Sequence, residues 1–443
     1  MIFDETRPIE HRDALPERAD VVVIGAGIAG ICTAYYLAKA GVPVLVCEKG
    51  RVAGEQSSRN WGWIRKQGRD PDEVPLAIEA NRLWGALADE LDEDIGFTRG
   101  GVLYAAQDEW TLEEHAAWLE VGETYQLDTR LLTGAEVSEL VRGGNDRWAG
   151  GLHTPSDARA EPFLAVPAIA RAVRRHGGRI REHCAVRGLE TSAGRVSAVV
   201  TEHGAVSTDT VVCAGGAWSS TFLANLGVDL PQLTVRGTVV RTAPAPDIHG
   251  GNALLVDLGI RRRQDGGYTL ATTTVHDHFL GADSFRYFRN FMPAMRGSFG
   301  NIQVRLAGNL FERLKPRPRW SQDEESPFER ARVLNPEPSP IALRDIRAGL
   351  DRWLPALSGV PFAQTWAGMI DTTPDVVPVL DGIESVPGLY VATGFCGHGF
   401  GIGPATGRIM ADMVRNRPIG HDLDRFRFSR FSDGSPLRAG PGI

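Results

Sequence analysis

Apolar and polar positions change period several times along this chain. An unbroken apolar run at 21–24 (VVVI) ends in Gly25, Gly27 and Gly30. A helical stretch follows to about Lys39, and a second apolar run at 42–47 ends in Glu48. Uniformly apolar runs suit strands covered on both faces, so the segment predicts a β-α-β unit. Apolar residues at helical spacing predict a helix over 75–92, and alternation predicts a strand over 96–106. Helices are expected near 110–121 and 134–142, and residues 160–183 read as a helix leading into a short strand. Strand and turn patterns then repeat over 184–213, the last strand ending in Gly215-Gly216 and Trp218. A buried strand ending in glycines is how a nucleotide-binding sheet returns to its ligand edge. Residues 233–280 alternate and predict an antiparallel sheet, while 281–340, rich in Arg, Pro and aromatics, predict an excursion from the core, a lid or an interface. A helix at 341–356, a strand at 387–394, a helix at 404–416 and an irregular tail from 420 complete the reading.

This order predicts a chain of α/β plus α+β class. A discontinuous, Rossmann-like nucleotide-binding domain would use 20–62, 155–222 and 365–418. A substrate domain on a large mixed or antiparallel sheet would use 63–154 and 223–364, flanked by an arm at 1–19 and a tail at 419–443.

Composition narrows the function classes. The 443 residues are 42% hydrophobic and 23% charged, an ordinary globular balance. A formal net charge of −7 argues against nucleic acid as a partner. Five scattered cysteines without a CxxC read as small buried hydrophobes, which points to a reducing cytoplasm and away from disulfides or zinc. No signal-type or membrane-spanning apolar stretch is present, so no integral membrane segment is expected.

The glycines of GAGIAG (25–30) each have a task. Gly25 permits the tight turn, Gly27 lets backbone approach a pyrophosphate, and Gly30 lets helix and strand pack. The helix N-terminus offers unpaired N–H groups to phosphate, and Glu48 stands where an acid accepts from ribose hydroxyls. A second glycine-rich stretch, GFCGHGFGIGPATGR (394–408), follows a strand and precedes a helix. Its backbone is free to lie against a flat or anionic ligand. Two such stretches disfavour a simple NAD-dependent dehydrogenase.

Together with SSRNWG (57–62), CAGGAWS (213–219) and WAGMIDTTPDVVPVLDG (366–382), these segments resemble the D-amino acid oxidase / glycine oxidase / sarcosine oxidase superfamily of FAD enzymes, in family order over most of the chain. The resemblance implies that Gly25, Gly27, Ile28, Ala29 and Gly30 hold the FAD pyrophosphate, with Glu48 and Lys49 at the adenosine ribose. It implies Ser57, Ser58, Asn60, Trp61 and Gly62 along the flavin phosphates and ring edge, Val186 at the adenine, and Gly215 and Trp218 beside the adenosine half. Gly397, His398, Gly399, Phe400, Gly401 and Ile402 would face the pyrimidine end of the flavin ring. Three positions depart from the sarcosine-oxidase pattern. Gly368 replaces the cysteine that bonds flavin, which predicts noncovalent FAD. Gly401 and Thr269 replace two lysines, which leaves the electron acceptor, O2 or another, open.

If the substrate is an amino acid, its carboxylate calls for an arginine fork. Arg65 follows the flavin loop, and Arg286 lies in an R-Y-F triplet similar to one in bacterial L-amino acid deaminases. Gln67 and Trp366 are candidate cavity walls, and His398 a candidate base or cofactor contact. His276-Asp277-His278 reads as no metal site, since neighbouring strand histidines face apart or lie too close for shared ligation and no third ligand is suitably spaced, and Arg261-Arg262-Arg263 reads as a solvated strand end. The expected reaction is oxidation of an amino acid Cα–N bond by hydride transfer to flavin N5. The imino acid hydrolyses to a 2-oxo acid and ammonia, with H2O2 if O2 is the acceptor. SSRNWGW and the arginine-rich excursion look more like the L-amino acid branch. Alternatives are a D-amino acid dehydrogenase or oxidase, a sarcosine- or polyamine-type secondary-amine oxidase, and a flavin-binding subunit of a hetero-oligomer. A homodimer stays open.

Overall fold

The computed structural model describes residues 8–144, 147–297, 302–307 and 313–440. The strand Val21–Ile24 lies inside a six-stranded sheet. Its parallel neighbours are Val44–Cys47 and Val211–Cys213, with Arg179–Arg181 and Leu389–Thr393 outside them and Val379–Gly382 antiparallel at one edge. The central strands carry Val, Ile and Leu at nearly every position because both faces are covered. The helix Ile28–Lys39 covers one face and is itself buried nearly all round, which explains why it is apolar on every side. Against it pack the helices Pro162–Arg175 and Gly399–Val414.

That last helix begins five residues earlier than its Gly and Pro content predicts. Gly403 and Gly407 belong to helix packing. A Cβ at Gly403 would sit 2.3 Å from Ile28 Cγ1, and one at Gly407 2.3 Å from Cys32 Cβ. These glycines let two backbones approach to a distance that no side chain permits.

The second large sheet has ten strands and is mixed. Leu233–Thr242 and Phe362–Thr372 form its long antiparallel pair, with Gly237 opposite Gly368. Two joints are parallel, Asn252–Leu255 with Val102–Ala106 and His276–Phe279 with Ile302–Arg305. The expected helix near 110–121 is two, Glu109–Ala116 and Leu119–Thr124. The run at 261–263 is not solvated: Arg261 and Arg263 are buried, and Arg261 holds Glu161 at 2.8 Å.

The excursion divides in two. Its first part exposes Phe285, Phe288, Met295, Val304 and Leu306. Its second part returns to the parallel sheet, where Phe328 stacks with Trp218, Phe222 and Trp320. The tail is irregular but tied down: Arg425 bridges Asp70 and Asp375, and Arg430 also holds Asp375. No helix among the described residues is long and apolar enough to cross a membrane.

Candidate active site

At the carboxyl ends of the parallel strands lies a cavity of about 160 Å³. Gly25 has φ +100°, and a Cβ there would lie 2.5 Å from the Ala214 carbonyl oxygen. The Ile28 N–H, at the start of the helix, donates to Ser57 Oγ at 2.8 Å. Ser57 Oγ, engaged as an acceptor, keeps its hydroxyl available to donate at a positive helix end, where an anion is stabilised. Glu48 accepts from the N–H of Ala26 and of Gly50, each at 2.7 Å. Burial raises its carboxyl above the usual range, and Lys49 and these two N–H groups oppose that rise.

The sequence candidates divide around this cradle. Gly25, Gly27, Ile28, Ala29, Glu48, Lys49, Ser57, Asn60, Val186, Gly215, Trp218, Gly397, Gly399 and Phe400 line it. Gly30 stands behind it, its missing Cβ allowing contact with the Gly25 carbonyl. Lys49 spends its ammonium on the protein, donating to Glu55 and to the carbonyls of Ala331 and Arg332 while lying over the Trp218 ring. Asn60 shapes its own loop, accepting from the Gly62 N–H and donating to Gln56 and Ser57 carbonyls. Ser58 and Ile402 are buried and line neither this cavity nor the next.

Gln56, Asn60, Gly397 and Phe400 also line a second cavity of about 410 Å³, so the two spaces adjoin. Trp61, Gly62, Trp63, Tyr104 and Trp118 wall it on one side, with Gly237, Val239, Gly368 and Ile370 from the mixed sheet. Gly368 brings no side chain to this cavity, and a Cβ there would meet Gln56 Oε1 at 1.8 Å, so the Gln56 side chain occupies the space beside it. Arg65, Arg69, His398 and Gly401 also line this cavity. Arg65 donates to the Gln67 carbonyl at 2.6 Å and to the Tyr104 hydroxyl, and no carboxylate of the described residues lies in ion-pair contact with it.

Three sequence candidates fall elsewhere. Arg286 is 54% exposed and paired with Asp229 at 3.0 Å, outside the cavity. Trp366 is a core residue that donates to the Arg59 carbonyl at 3.0 Å and packs on Phe163. Gln67 is fully buried, donating to the Leu152 carbonyl and accepting from Thr154. His276 does face the cavity, while His278 turns away to Thr234 and Ser284.

Arg69 and Glu73 escaped the sequence reading. They sit in RKQGRDPDE, which follows the short strand Trp63–Ile64 and ends in a 3-10 turn at Pro71–Glu73 leading into the helix from Val74. The density of charge just after the flavin-type loop was the available signal. Arg69 is buried with Nε and Nη1 lacking hydrogen-bond partners, and burial, with Arg65 beside it, lowers its pKa to about 10. Glu73 is fully buried behind His398, its Oε2 3.6 Å from Nδ1. Burial alone would raise the Glu73 carboxyl, but His398 and the two guanidiniums outweigh it and hold the carboxyl low. His398 is driven down to about 4, by burial first and then Arg69, with Glu73 opposing.

The profile of the DAO family, FAD dependent oxidoreductase, matches residues 20–413, and the chain belongs to that family. It is 24% identical over 433 residues to human mitochondrial sarcosine dehydrogenase, covering 94% of this chain but only 42% of that protein. It is 25% identical over 419 residues to a glycine oxidase of Bacillus licheniformis, covering 91% of this chain and 95% of that one. Among solved structures, the L-amino acid deaminase of Proteus myxofaciens, determined in complex with anthranilate, superposes with a TM-score of 0.91 at 32% identity, covering 96% of both chains. The Proteus vulgaris deaminase superposes at 0.89 with 30% identity, covering 95% of this chain and 99% of that one. The residues present fit FAD: a cradle that a Cβ at Gly25 would block, a helix N-terminus with no acid in its first turn, and a carboxylate at the second strand's end.

Proposed function

We propose that this protein oxidises the Cα–N bond of an amino acid, preferring L substrates, with noncovalent FAD. The observation that carries the reading is the pair Arg65 and Arg69, two guanidiniums with no ion-pair partner among the described residues, in a cavity adjoining the nucleotide cradle. A planar carboxylate matches such forks, and in a cavity shielded by Trp61, Trp63 and Trp118 the attraction is weakly screened. Bound FAD supplies the two-electron acceptor. Gly25 to Ala29 would hold its pyrophosphate, Glu48 its adenosine ribose, Ser57 its flavin-side phosphate, and Gly397 to Gly401 its ring end. The chain's part in the chemistry is to fix the carboxylate, orient Cα and exclude water.

The Rossmann-like unit of this reading comprises 20–62, 155–222 and 365–418, and the substrate unit 63–154 and 223–364. The L preference rests on likeness to the Proteus deaminases, one of which binds anthranilate, a ligand carrying carboxylate and amine. A secondary amine is the competing substrate, favoured by likeness to sarcosine dehydrogenase. Dye reduction and peroxide release with matched L and D panels plus sarcosine decide between them. Turnover of the L set is expected, and turnover of only D amino acids or only sarcosine overturns the reading.

A further inference from the structure

Three buried side chains beside the second cavity lack hydrogen bonds: both ring nitrogens of His398, both carboxylate oxygens of Glu73, and Nε and Nη1 of Arg69. Leaving such groups unpaired is costly, and structures keep them so mainly where a ligand completes them. His398 and Arg69 line the cavity, and Glu73 does not. The order from the cavity inward is therefore ring, then carboxylate. His398 sits one residue before the helix Gly399–Val414, and Glu73 one residue before Val74–Glu90. These helices pack together, with Trp84 Nε1 donating to the Gly401 carbonyl at 3.0 Å. The ring is thus fixed against its carboxylate by two rigid elements.

We propose that His398 accepts the ammonium proton of the substrate and that Glu73 is the positioning residue that stabilises the charged ring. The proposal rests on the amino-acid reading above. An amino acid enters with its nitrogen protonated and must lose that proton before the nitrogen lone pair can assist departure of the Cα hydride. In the step, an N–H bond of the ammonium breaks and an N–H bond to the ring forms. The electron pair stays on the substrate nitrogen, and nothing is oxidised or reduced. The proton returns to water as the product leaves.

The charged groups facing the ring are Glu73, Arg69 and Arg65. In the free protein, burial and the two guanidiniums keep the ring neutral, the form that can accept. A bound carboxylate neutralises the arginines. Glu73 then dominates the field at the ring, and its affinity for a proton rises as the substrate arrives. The 3.6 Å separation is just beyond hydrogen-bond length and suits a contact that closes when the ring becomes charged.

The test uses the holoenzyme with 2-aminoisobutyrate and L-α-methylphenylalanine, which have no Cα–H and cannot be oxidised. Binding is read from the flavin spectrum, and histidine protonation from nitrogen-15 NMR of histidine-labelled protein at pH 7. One histidine is expected to become imidazolium on binding. The signal should be absent in His398→Gln and with 2,2-dimethyl-3-phenylpropanoate, which keeps the carboxylate and lacks the amine. Glu73→Gln should shift the protonation to lower pH, with Glu73→Asp restoring part of it. If His398→Gln loses its flavin, the Glu73 variants carry the test. Binding without any histidine gaining a proton, or an unchanged titration in Glu73→Gln, overturns the proposal alone. If neither probe perturbs the flavin, the amino-acid reading falls with it.

Discussion

Lys66 and Asp157 form a buried ion pair, Nζ to Oδ1 at 2.8 Å, with Asp157 also accepting the backbone N–H groups of Lys66 and Gln67. The pair pins the segment between Arg65 and Arg69 to the turn before Ala158–Arg159. Asp157→Asn leaves the Lys66 ammonium buried without a counter-charge, a loss of about 3–5 kcal/mol. Thermal unfolding of the holoenzyme should fall steeply. A change in Tm of less than a few degrees would show that the segment holds itself.

The carboxylate clamp is tested by Arg65→Met and Arg69→Met. Each removes charged hydrogen bonds worth about 1.5–3 kcal/mol, so KM for the amino acid should rise roughly 10- to 100-fold. Arg286→Ala, which breaks the surface pair with Asp229 and the contact over the Tyr287 ring, both outside the cavity, should leave KM unchanged. An equal effect at all three positions would remove the clamp from Arg65 and Arg69.

Much of the cavity at the carboxyl ends of the parallel strands was legible because the period of apolar residues changes just where glycines stand, at Gly25 to Gly30, and an acid closes the unit at Glu48. Gly399, Gly401, Gly403 and Gly407 show the limit of such reading. The first three read as a loop yet are helical, while Gly407 falls in the expected helix; Gly403 and Gly407 serve contact with Ile28 and Cys32, which no local pattern encodes. Arg286 fails for a related reason. The triplet Arg286-Tyr287-Phe288 is a local resemblance, whereas its position is set by Asp229, which takes both Arg286 and Tyr287. Arg69 and Glu73 were hidden in the opposite sense, since their meaning depends on His398, brought to them by helix packing.

Helix contact gives a prediction of its own. Gly403→Ala forces a methyl into Ile28, and the helix Ile28–Lys39 must move. Overpacking of this kind costs about 1–3 kcal/mol. FAD affinity, measured by reconstitution of apoprotein, should weaken along with stability. Glu48→Gln should weaken FAD by about 10- to 100-fold and also lower the Tm of the apoprotein, because each carboxylate oxygen accepts a backbone N–H and an amide nitrogen cannot.

Acid sensitivity follows from three buried histidines. Burial is the largest cause in each, and it lowers His153, His276 and His398 to about 4. In the unfolded chain each titrates near 6.5, so between 6.5 and 4 the unfolded state binds more protons than the folded one. Stability is therefore retained above pH 6.5 and lost as pH falls towards 4. His153→Gln, outside the cavity, should reduce the slope of Tm against pH in that window. An identical slope would mean that His153 is already charged in the folded protein.

The cradle's two walls are made at opposite times. Gly25 to Glu48 leave the ribosome hundreds of residues before Gly397 and Phe400, which close the same cavity, and Arg425, which fastens Asp70 beside Arg69 through Asp375, comes later still. Until Gly399–Val414 is made, the helix Ile28–Lys39 of a nascent chain has, of these two helix partners, only Pro162–Arg175. A chain cut before Gly397 is expected to leave one side of this apolar helix uncovered and to retain little flavin on purification, the kind of species that chaperones and proteases remove.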